Sequence, residues 1–395
     1  MTDGAGAAAL KERGVLMVMH SLSQGGADRV AVLLANGFVA AGIPTRIALM
    51  RDMAEGQPEL RAMLDPAVIV ASAGPAMGLR LSRNGPPFGH RHLERVRGVR
   101  FVRSQIDAHA PAIVFAPTDN MGLITALSRR TRAGEPLFSM KLTNALLRPG
   151  SGLAKAAGRR KLFDFIFQRL DLVLALSDAE RRQLSDIYPS RAPIFRTVTN
   201  PYVTEEMLTG FVAPSSASPR LITAGRMVAQ KRFDVLIQAL ALVRGDARLT
   251  ILGDGPLRHS LEALARSLGI ADRVDTPGYG DVLPRLRQAD LFVLSSDYEG
   301  LPAVVLEALA SGVPVVTSDS FLAAREMLEG APGCAVVPIR DPDALAAAID
   351  RSLAADRRPS DLRTMALPYR IKPAIAAHIE TFSRALDRGG QAAAA

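Results

Sequence analysis

The residues best suited to chemistry lie in an apolar stretch near position 300. Residues 289–296 predict a short buried strand, and a helix with Pro302 in its first turn follows. Glu299 and Gly300 therefore lie at a strand-to-helix turn, on the sheet edge where open α/β sheets bind ligands. Glu307 lies within the apolar helix, where a buried carboxylate needs a hydrogen-bond partner. It either binds ligand hydroxyls or faces water on an amphipathic helix.

Two cations occupy an equivalent turn earlier in the same half of the chain. Arg226 and Lys231 follow a strand predicted over 220–224. Two cations and the helix start at Gly300 and Leu301 would neutralise a diphosphate and the charge that builds on it as it leaves. Because the nearby carboxylates would accept sugar hydroxyls, the set indicates a nucleotide-sugar.

The N-terminal half has a glycine pair at its first strand-to-helix turn. Gly25 and Gly26 separate a strand predicted over 14–19 from a helix over 30–41. Paired glycines let the backbone approach a ligand closely, although the three-glycine dinucleotide fingerprint is absent. The alternative is a tight turn that binds nothing.

Strands and helices alternate in both halves, which predicts an α/β fold of two doubly wound domains facing each other across a cleft. We expect an N-terminal, acceptor-side Rossmann-like domain over 13–200 and a C-terminal, nucleotide-sugar-binding Rossmann-like domain over 201–372. A C-terminal helix is predicted over 373–388, with packing back on the N-terminal domain left open. Residues 389–395 are expected to be disordered.

Composition indicates a soluble globular protein. Of 395 residues, 48% are hydrophobic and 22% are charged. No apolar run is long enough to span a membrane, the N-terminus lacks signal-peptide features, and Cys334 is the single cysteine. These features predict a cytoplasmic protein.

The positive charge is concentrated in two blocks. The formal net charge is +9; residues 73–103 hold seven arginines against one glutamate, and residues 148–170 hold six cations against one aspartate. Residues 158–167 combine cations with aromatics that look exposed, so both blocks predict peripheral binding to the anionic inner face of the cell membrane. The alternative for 158–167 is a core helix with a solvated basic end.

These motifs resemble the retaining GT-B glycosyltransferases of family GT4. The resemblance is strong over 219–350 and looser over 14–200. The residues that carry it are Gly25, Gly26, Gly225, Arg226, Lys231, Gly253–Pro256, Glu299, Glu307, Gly312–Val316, Arg325 and Glu326.

The resemblance implies a role for each matched residue. Arg226 and Lys231 would bind the donor diphosphate and Glu299 the donor sugar, as the catalytic set. It further implies donor-binding roles for Gly25, Gly26, Gly225, Asp254, Tyr279, Val282, Gly300, Leu301 and Glu307. Glu307 would bind the ribose, and Tyr279 and Val282 would lie near the base. No cofactor and no metal are implied, and transfer would retain configuration through a front-face, oxocarbenium-like step.

The chain departs from many relatives after the strand predicted over 137–140. Where they carry a histidine, this sequence has Lys141 to Asn144. Lys141 and Asn144 are therefore candidates for contact with the sugar or the acceptor.

The resulting prediction is a glycosyltransferase that moves a sugar from a UDP- or GDP-sugar to a lipid-linked or cell-surface glycan, in polysaccharide or lipopolysaccharide biosynthesis. One alternative is a nucleotide-sugar epimerase, which needs acid and base residues opposed across the cleft. Another is a nucleic-acid-binding protein, which needs interleaved aromatics for base stacking. Residues 73–103 offer only Phe88 and Phe101 for that purpose, so no nucleic acid partner is expected.

Overall fold

The computed structural model describes residues 4–22, 26–51, 58–74, 88–130, 134–143, 146, 153–209, 218–356 and 359–394. These residues form two compact units. The first contains the described residues up to Leu146, those from 153 to 201 and those from 371 onward; the second contains Tyr202–Arg370. The C-terminal segment therefore belongs to the same unit as the N-terminal half.

The first unit is built on a seven-stranded parallel sheet. Its strands follow the order β3-β2-β1-β4-β5-β6-β7, so the chain reverses direction across the sheet between β1 and β4. They are β1 (Val15–Met19), β2 (Thr45–Leu49), β3 (Ile69–Ser72), β4 (Ile113–Ala116), β5 (Leu137–Lys141), β6 (Leu172–Ala175) and β7 (Phe195–Thr197). Every residue of β1, β4, β5 and β6 is buried, as expected for parallel strands covered on both faces.

Seven helices accompany this sheet along the chain. They are α1 (Ala5–Arg13), α2 (Gly26–Ala40), α3 (Pro58–Ala62), α4 (Phe88–His109), α5 (Gly122–Ser128), α6 (Leu153–Phe167) and α7 (Asp178–Ile187). The side chains of Ser177 and Glu180 cap the start of α7. Ser177 Oγ accepts a hydrogen bond from the Glu180 N–H at 3.1 Å, and the Glu180 carboxylate accepts one from the Leu176 N–H at 2.7 Å.

The second unit contains a six-stranded parallel sheet in the order β10-β9-β8-β11-β12-β13, which reverses between β8 and β11. Its strands are β8 (Arg220–Ala224), β9 (Arg248–Leu252), β10 (Val274–Gly278), β11 (Leu291–Leu294), β12 (Val315–Ser318) and β13 (Ala335–Val337). Its helices are α8 (Phe233–Leu242), α9 (Arg258–Ser267), α10 (Leu283–Leu286), α11 (Ala303–Ala310), α12 (Ala324–Leu328), α13 (Pro342–Ala354) and α14 (Pro359–Ala366). The predicted pair of doubly wound α/β domains is confirmed.

A last helix, α15 (Ile371–Ala394), packs against α1, α2 and β5 of the first unit. Its Phe382 ring lies 5.9 Å from the Phe38 ring and 5.3 Å from the Phe115 ring. The sequence predicts an irregular tail after residue 388, which is wrong because the helix continues to Ala394. Glutamine and alanine after the two glycines favour helix strongly enough to extend it.

Two of the three aromatic residues of α6 face the core. Phe163 and Phe167 are buried, and the Phe167 ring packs edge-on against Tyr188 and Phe195. The expectation of exposed aromatics is therefore wrong. An aromatic ring removes a large apolar area from water when it is buried, which favours turning this face of the helix towards the core. Lys155 and Lys161 lie on its exposed side, so α6 is a core helix with a solvated basic face.

Several elements are not predicted by the sequence pattern: α1, α3, β3, α5, β7 and α14. The edge strand β3 has no fully buried residue, so it lacks the apolar run by which a parallel strand is recognised. None of the helices that the structure describes combines the length and apolar character needed to cross a membrane.

Candidate active site

The candidate site of the second unit lies where its sheet order reverses. Strands β8 and β11 are hydrogen-bonded neighbours, although their loops lie about seventy residues apart in sequence. In an open α/β sheet, the reversal leaves a crevice at the carboxyl ends of the two central strands. The loop from β8 to α8 carries Gly225, Arg226 and Lys231; the loop from β11 to α11 carries Glu299, Gly300 and Leu301.

Lys231 and Glu299 form an ion pair across these two loops. The Lys231 Nζ lies 2.7 Å from Glu299 Oε1, and the same oxygen accepts a hydrogen bond from Ser296 Oγ at 2.5 Å. The two side chains are only 17% and 11% exposed. The Glu299 backbone N–H donates to the Ser320 carbonyl at 2.7 Å. A largely desolvated ammonium is thereby fixed at the carboxyl edge of the sheet.

Glycines make room for this arrangement. Gly225 has φ +154°, and a Cβ added there would lie 3.1 Å from Lys231 Cε. Gly253, after β9, has φ +128°, and an added Cβ would lie 2.1 Å from the Gly225 carbonyl oxygen. The Met227 N–H donates to the Asp254 carbonyl at 2.9 Å. The β8 and β9 loops therefore interlock, with glycine required at the points of closest approach.

A second set of contacts, which sequence reasoning missed, holds the two central loops together. Asp297 accepts a bidentate pair of hydrogen bonds from Arg340 at 2.7 Å each, and this contact raises the pKa of Arg340. The Asp297 N–H donates to the Gln230 carbonyl, and Gln230 Nε2 donates to the Tyr298 carbonyl. Because Asp297 follows a buried strand, the sequence could have marked it as a candidate site residue. Nothing in the neighbouring residues indicates that its partner is Arg340.

The helix α11 carries a buried carboxylate, Glu307. Glu307 is 6% exposed, which excludes the alternative of a carboxylate that faces bulk water on an amphipathic helix. Ahead of α11, the Leu301 carbonyl accepts a hydrogen bond from the Tyr202 hydroxyl at 3.3 Å. Pro302 is the N-cap residue, with extended backbone.

The remaining predicted donor-binding residues surround the same edge of the sheet. The Arg226 side chain is exposed, and it forms no ion pair with any residue that the structure describes. Asp254 Oδ1 accepts a hydrogen bond from the Gly255 N–H at 2.7 Å. Tyr279 follows β10 and is 68% exposed, and Val282 is the half-buried residue before α10.

The candidates in the first unit have different surroundings. Gly25 and Asn144 lie outside the described residues. Gly26 is the exposed first residue of α2, and among the described residues nothing lies within 4 Å of an added Cβ. Lys141, predicted to contact the sugar or the acceptor, is fully buried. Its ammonium faces the core, so this candidate does not reach a ligand in this conformation.

Lys141 instead belongs to a buried polar cluster with His378 and Glu180. Its Nζ donates to the Val198 carbonyl at 3.1 Å and lies 2.9 Å from His378 Nε2. His378 Nδ1 lies 2.7 Å from the Ala374 carbonyl, so it carries the proton and Nε2 accepts from the ammonium. Burial lowers the pKa of both Lys141 and His378 and raises the pKa of Glu180 to about 7.

Acidic, histidine and cysteine side chains are dispersed through the described residues. No three of them there lie close enough together to hold a metal ion. Arg226 and Lys231 both lie in the β8–α8 loop, at the carboxyl edge of the second sheet.

The family described as glycosyl transferases group 1 matches residues 218–355. This segment contains Gly225, Lys231, Glu299 and Glu307 and covers about a third of the chain. The resemblance identified from the sequence is confirmed for this segment.

The lipopolysaccharide core biosynthesis glycosyltransferase LpsE of Rhizobium meliloti (strain 1021) is 39% identical over 138 residues, which are 35% of this chain and 40% of that protein. The chain spans less than half the length of the first curated relatives that it matches.

Solved structures resemble nearly the whole chain. The apo form of the lipopolysaccharide outer core galactosyltransferase WaaB has a TM-score of 0.71 at 18% identity, over 92% of this chain and 97% of that one. HepE of Anabaena in complex with UDP has a TM-score of 0.68 at 18% identity, over 96% and 99%. These likenesses concern the fold, and they confirm the GT-B class predicted from the sequence.

Proposed function

We propose that the protein is a retaining glycosyltransferase that transfers a sugar from a UDP- or GDP-sugar to a lipid-linked or cell-surface glycan acceptor, in polysaccharide or lipopolysaccharide biosynthesis. One observation carries the proposal. The partly desolvated Lys231–Glu299 pair and the exposed Arg226 lie where β8 and β11 diverge, on the sheet edge that suits a nucleotide diphosphate. The match of residues 218–355 to group 1 glycosyl transferases supports it.

The cations of the second unit would act on the leaving group. In the proposed complex, Arg226 and Lys231 neutralise the diphosphate, and the backbone N–H groups of Gly300 and Leu301, just ahead of α11, donate to its oxygens. Charge on the diphosphate grows as its bond to the sugar breaks. Cations held in a site from which water is largely excluded stabilise this charge more than water does, which lowers the barrier.

Carboxylates and neighbouring loops would hold the rest of the donor. Glu307 accepts the ribose hydroxyls, and Glu299 accepts hydroxyls of the transferred sugar once the diphosphate contacts Lys231. Tyr279 and Val282 flank the base, and the Gly225 and Asp254 loops border the diphosphate.

The proposed reaction proceeds on one face of the sugar. The bond between the anomeric carbon and the phosphate oxygen breaks through an oxocarbenium-like state. The acceptor hydroxyl oxygen bonds to the same face of the anomeric carbon, and its proton passes to the departing diphosphate. Configuration is retained without a covalent enzyme intermediate, and the charge compensation comes from Arg226 and Lys231 without a metal.

A thermal-shift screen against UDP, GDP, ADP and their sugars, with and without EDTA, tests the proposal. A ligand that binds only the folded state raises its stability by about 2.7 kcal/mol at 100 times its Kd. We expect one diphosphate to raise the melting temperature in EDTA. The shift should disappear in Lys231→Ala and persist in Lys372→Ala, which removes an exposed lysine from α15.

Turnover provides the second measurement. With the donor identified by the screen, Lys231→Ala should lower the transfer rate by about 10²- to 10³-fold, the effect typical of removing one group that stabilises developing charge. If no nucleotide shifts the melting temperature of well-folded protein, the glycosyltransferase proposal is wrong.

A further inference from the structure

The first unit contains a cavity that the proposed donor site does not use. It encloses about 540 Å³, which lies within the usual range for small-molecule sites. It opens at the carboxyl ends of β1, β2 and β4, and α4, α5 and α6 form its walls. Because the order of this sheet reverses between β1 and β4, the cavity lies where an open α/β sheet binds ligands.

One side of the cavity is cationic. Arg51, Arg95, Arg97 and Arg159 line it, against two carboxylates, Glu94 and Asp119. Arg95 is exposed on α4, and it makes no hydrogen bond or ion pair with the residues that the structure describes. A rim with this excess of guanidinium groups favours an anion, and guanidinium geometry suits phosphate or carboxylate.

Part of this polar lining is held in position by other residues. Arg97 donates to the Ala73 carbonyl. Arg159 Nη2 lies 3.7 Å from Asp119 Oδ2, and the Arg159 guanidinium stacks over the Phe163 ring at 5.4 Å. Asp119 Oδ1 also accepts a hydrogen bond from Thr143 Oγ1 at 2.5 Å. Binding therefore requires little rearrangement of these groups, which favours affinity.

The other side of the cavity is apolar. Met121, Ile124, Phe163 and Ile166 line it, and each is at most 9% exposed. Leu162, at the mouth, is 43% exposed. Apolar surface that remains open to a cavity gains from contact with an apolar ligand, because water is released from both.

We propose that this cavity binds an acidic amphiphile, with its phosphate or carboxylate against the arginines and its apolar chain against Met121, Ile124, Phe163 and Ile166. The identification of this amphiphile as the glycosyl acceptor rests on the proposed function; the binding itself does not. The class of the acceptor is then a phosphate-bearing lipid, distinct from a neutral glycolipid or a free sugar phosphate.

Octyl phosphate below its micelle concentration is the probe, and the protein itself offers a clean reporter. The chain has no tryptophan, so Leu162→Trp introduces a single tryptophan, at the mouth of the cavity, whose emission can be excited selectively. Isothermal titration calorimetry of the unsubstituted protein provides a label-free measurement. Octyl glucoside supplies the same chain with a neutral head, inorganic phosphate the charge without a chain, and glucose 1-phosphate a free sugar phosphate.

We expect saturable binding of octyl phosphate, at least about tenfold tighter than each of the three comparison ligands. Arg95→Gln should weaken this binding about tenfold. Arg100→Gln, which removes the same charge from an exposed position of α4 outside the cavity, should change it less than twofold. Absence of saturable octyl phosphate binding, equal or tighter binding of any comparison ligand, or equal effects of the two arginine variants would each overturn the proposal.

The two proposals fail separately. Octyl phosphate binding is measured without donor, and it should be unchanged in Lys231→Ala. If octyl phosphate binds and no nucleotide raises the melting temperature, the cavity assignment stands and the glycosyltransferase proposal is wrong. If a nucleotide raises the melting temperature and octyl phosphate does not bind, only the cavity assignment is wrong.

Discussion

The Lys231 ammonium and the Glu299 carboxylate lie 2.7 Å apart with little access to water. A pair of this kind contributes little net stability, because the attraction of its charges is offset by the loss of their hydration. Removing one partner leaves the other charge uncompensated. A diphosphate near Lys231 would supply new negative charge and leave Glu299 free to accept sugar hydroxyls, so the pair is better suited to ligand exchange than to holding the fold.

Gly253 provides a test of the loop geometry at the residue scale. Gly253→Ala should destabilise the protein by roughly 2–5 kcal/mol, which combines about 1–2 kcal/mol for a positive φ with about 1–3 kcal/mol for overpacking. The added Cβ would lie 2.1 Å from the Gly225 carbonyl oxygen. Urea denaturation measures the change.

Gly269→Ala is the matched control for this variant. Gly269 also has a positive φ, of +70°, but nothing in the described structure lies within 4 Å of an added Cβ. It should therefore cost only about 1–2 kcal/mol. Equal losses in the two variants would show that crowding of the Gly225 loop does not contribute.

At the scale of secondary-structure elements, α15 is attached to the first sheet through polar and aromatic contacts. His378 on this helix accepts a hydrogen bond from Lys141 on β5, and Phe382 packs one turn further along. Both residues of the polar contact are fully buried. Their pairing satisfies groups that would each be costly to bury alone.

This contact predicts a specific pH dependence. Burial, then the charge of Lys141, lowers the pKa of His378 well below 6.5, so the folded state keeps the ring neutral. As pH falls through about 6.5, only the unfolded state gains this proton, and stability falls by up to about 1.4 kcal/mol per pH unit. The variant His378→Gln lacks this loss. As pH falls from 7.5 to 5.5, the difference in free energy of unfolding between the native protein and the variant should therefore shrink.

Glu180 acts in the opposite direction over the same window. Its pKa is raised to about 7 by burial, so as pH falls below about 7 the folded state binds a proton first and gains stability. Because both proteins retain Glu180, the difference between them isolates His378. Urea denaturation at pH 7.5, 6.5 and 5.5 gives this difference, and a constant value across the series would show that His378 does not titrate as described.

At the scale of the whole molecule, the uneven charge is the prominent property. The two basic blocks lie around α4 and α6, and Lys155 and Lys161 are exposed on the outer side of α6. With Phe163 and Phe167 buried, attraction to a membrane would rely mainly on charge, together with exposed apolar side chains such as Leu93, Val96 and Leu162. We therefore propose weak, salt-sensitive association with an anionic inner membrane face.

Sedimentation with anionic liposomes measures this association. Each cation near the surface contributes about 1 kcal/mol, so binding should be present at low salt and should weaken at high salt. The double variant Lys155→Glu with Lys161→Glu should weaken it at least about tenfold. Arg266→Glu with Arg351→Glu, which changes charge equally in the second unit, is the control. Failure of the native protein to sediment at low salt would contradict membrane association.

Local sequence predicts most of the elements around the candidate site. Apolar runs bounded by glycine mark β8, β9 and β11, and Pro302 marks the start of α11. For Glu307 the sequence left two alternatives, a ligand contact or a position facing water, and only the structure shows that the residue is buried. The inferences about the elements succeed because strand and helix periodicity is a property of adjacent residues.

The sequence by itself therefore determined the α/β class, the turns that carry Arg226, Lys231 and Glu299, and the concentration of charge in the N-terminal half. Only the tertiary structure decided which distant residues meet. It placed β8 beside β11 so that Lys231 reaches Glu299, paired Asp297 with Arg340, and buried Lys141 against His378, which lies 237 residues away. The physical reason is that such contacts depend on strand order and on how whole elements pack, and neither leaves a periodic trace in neighbouring residues.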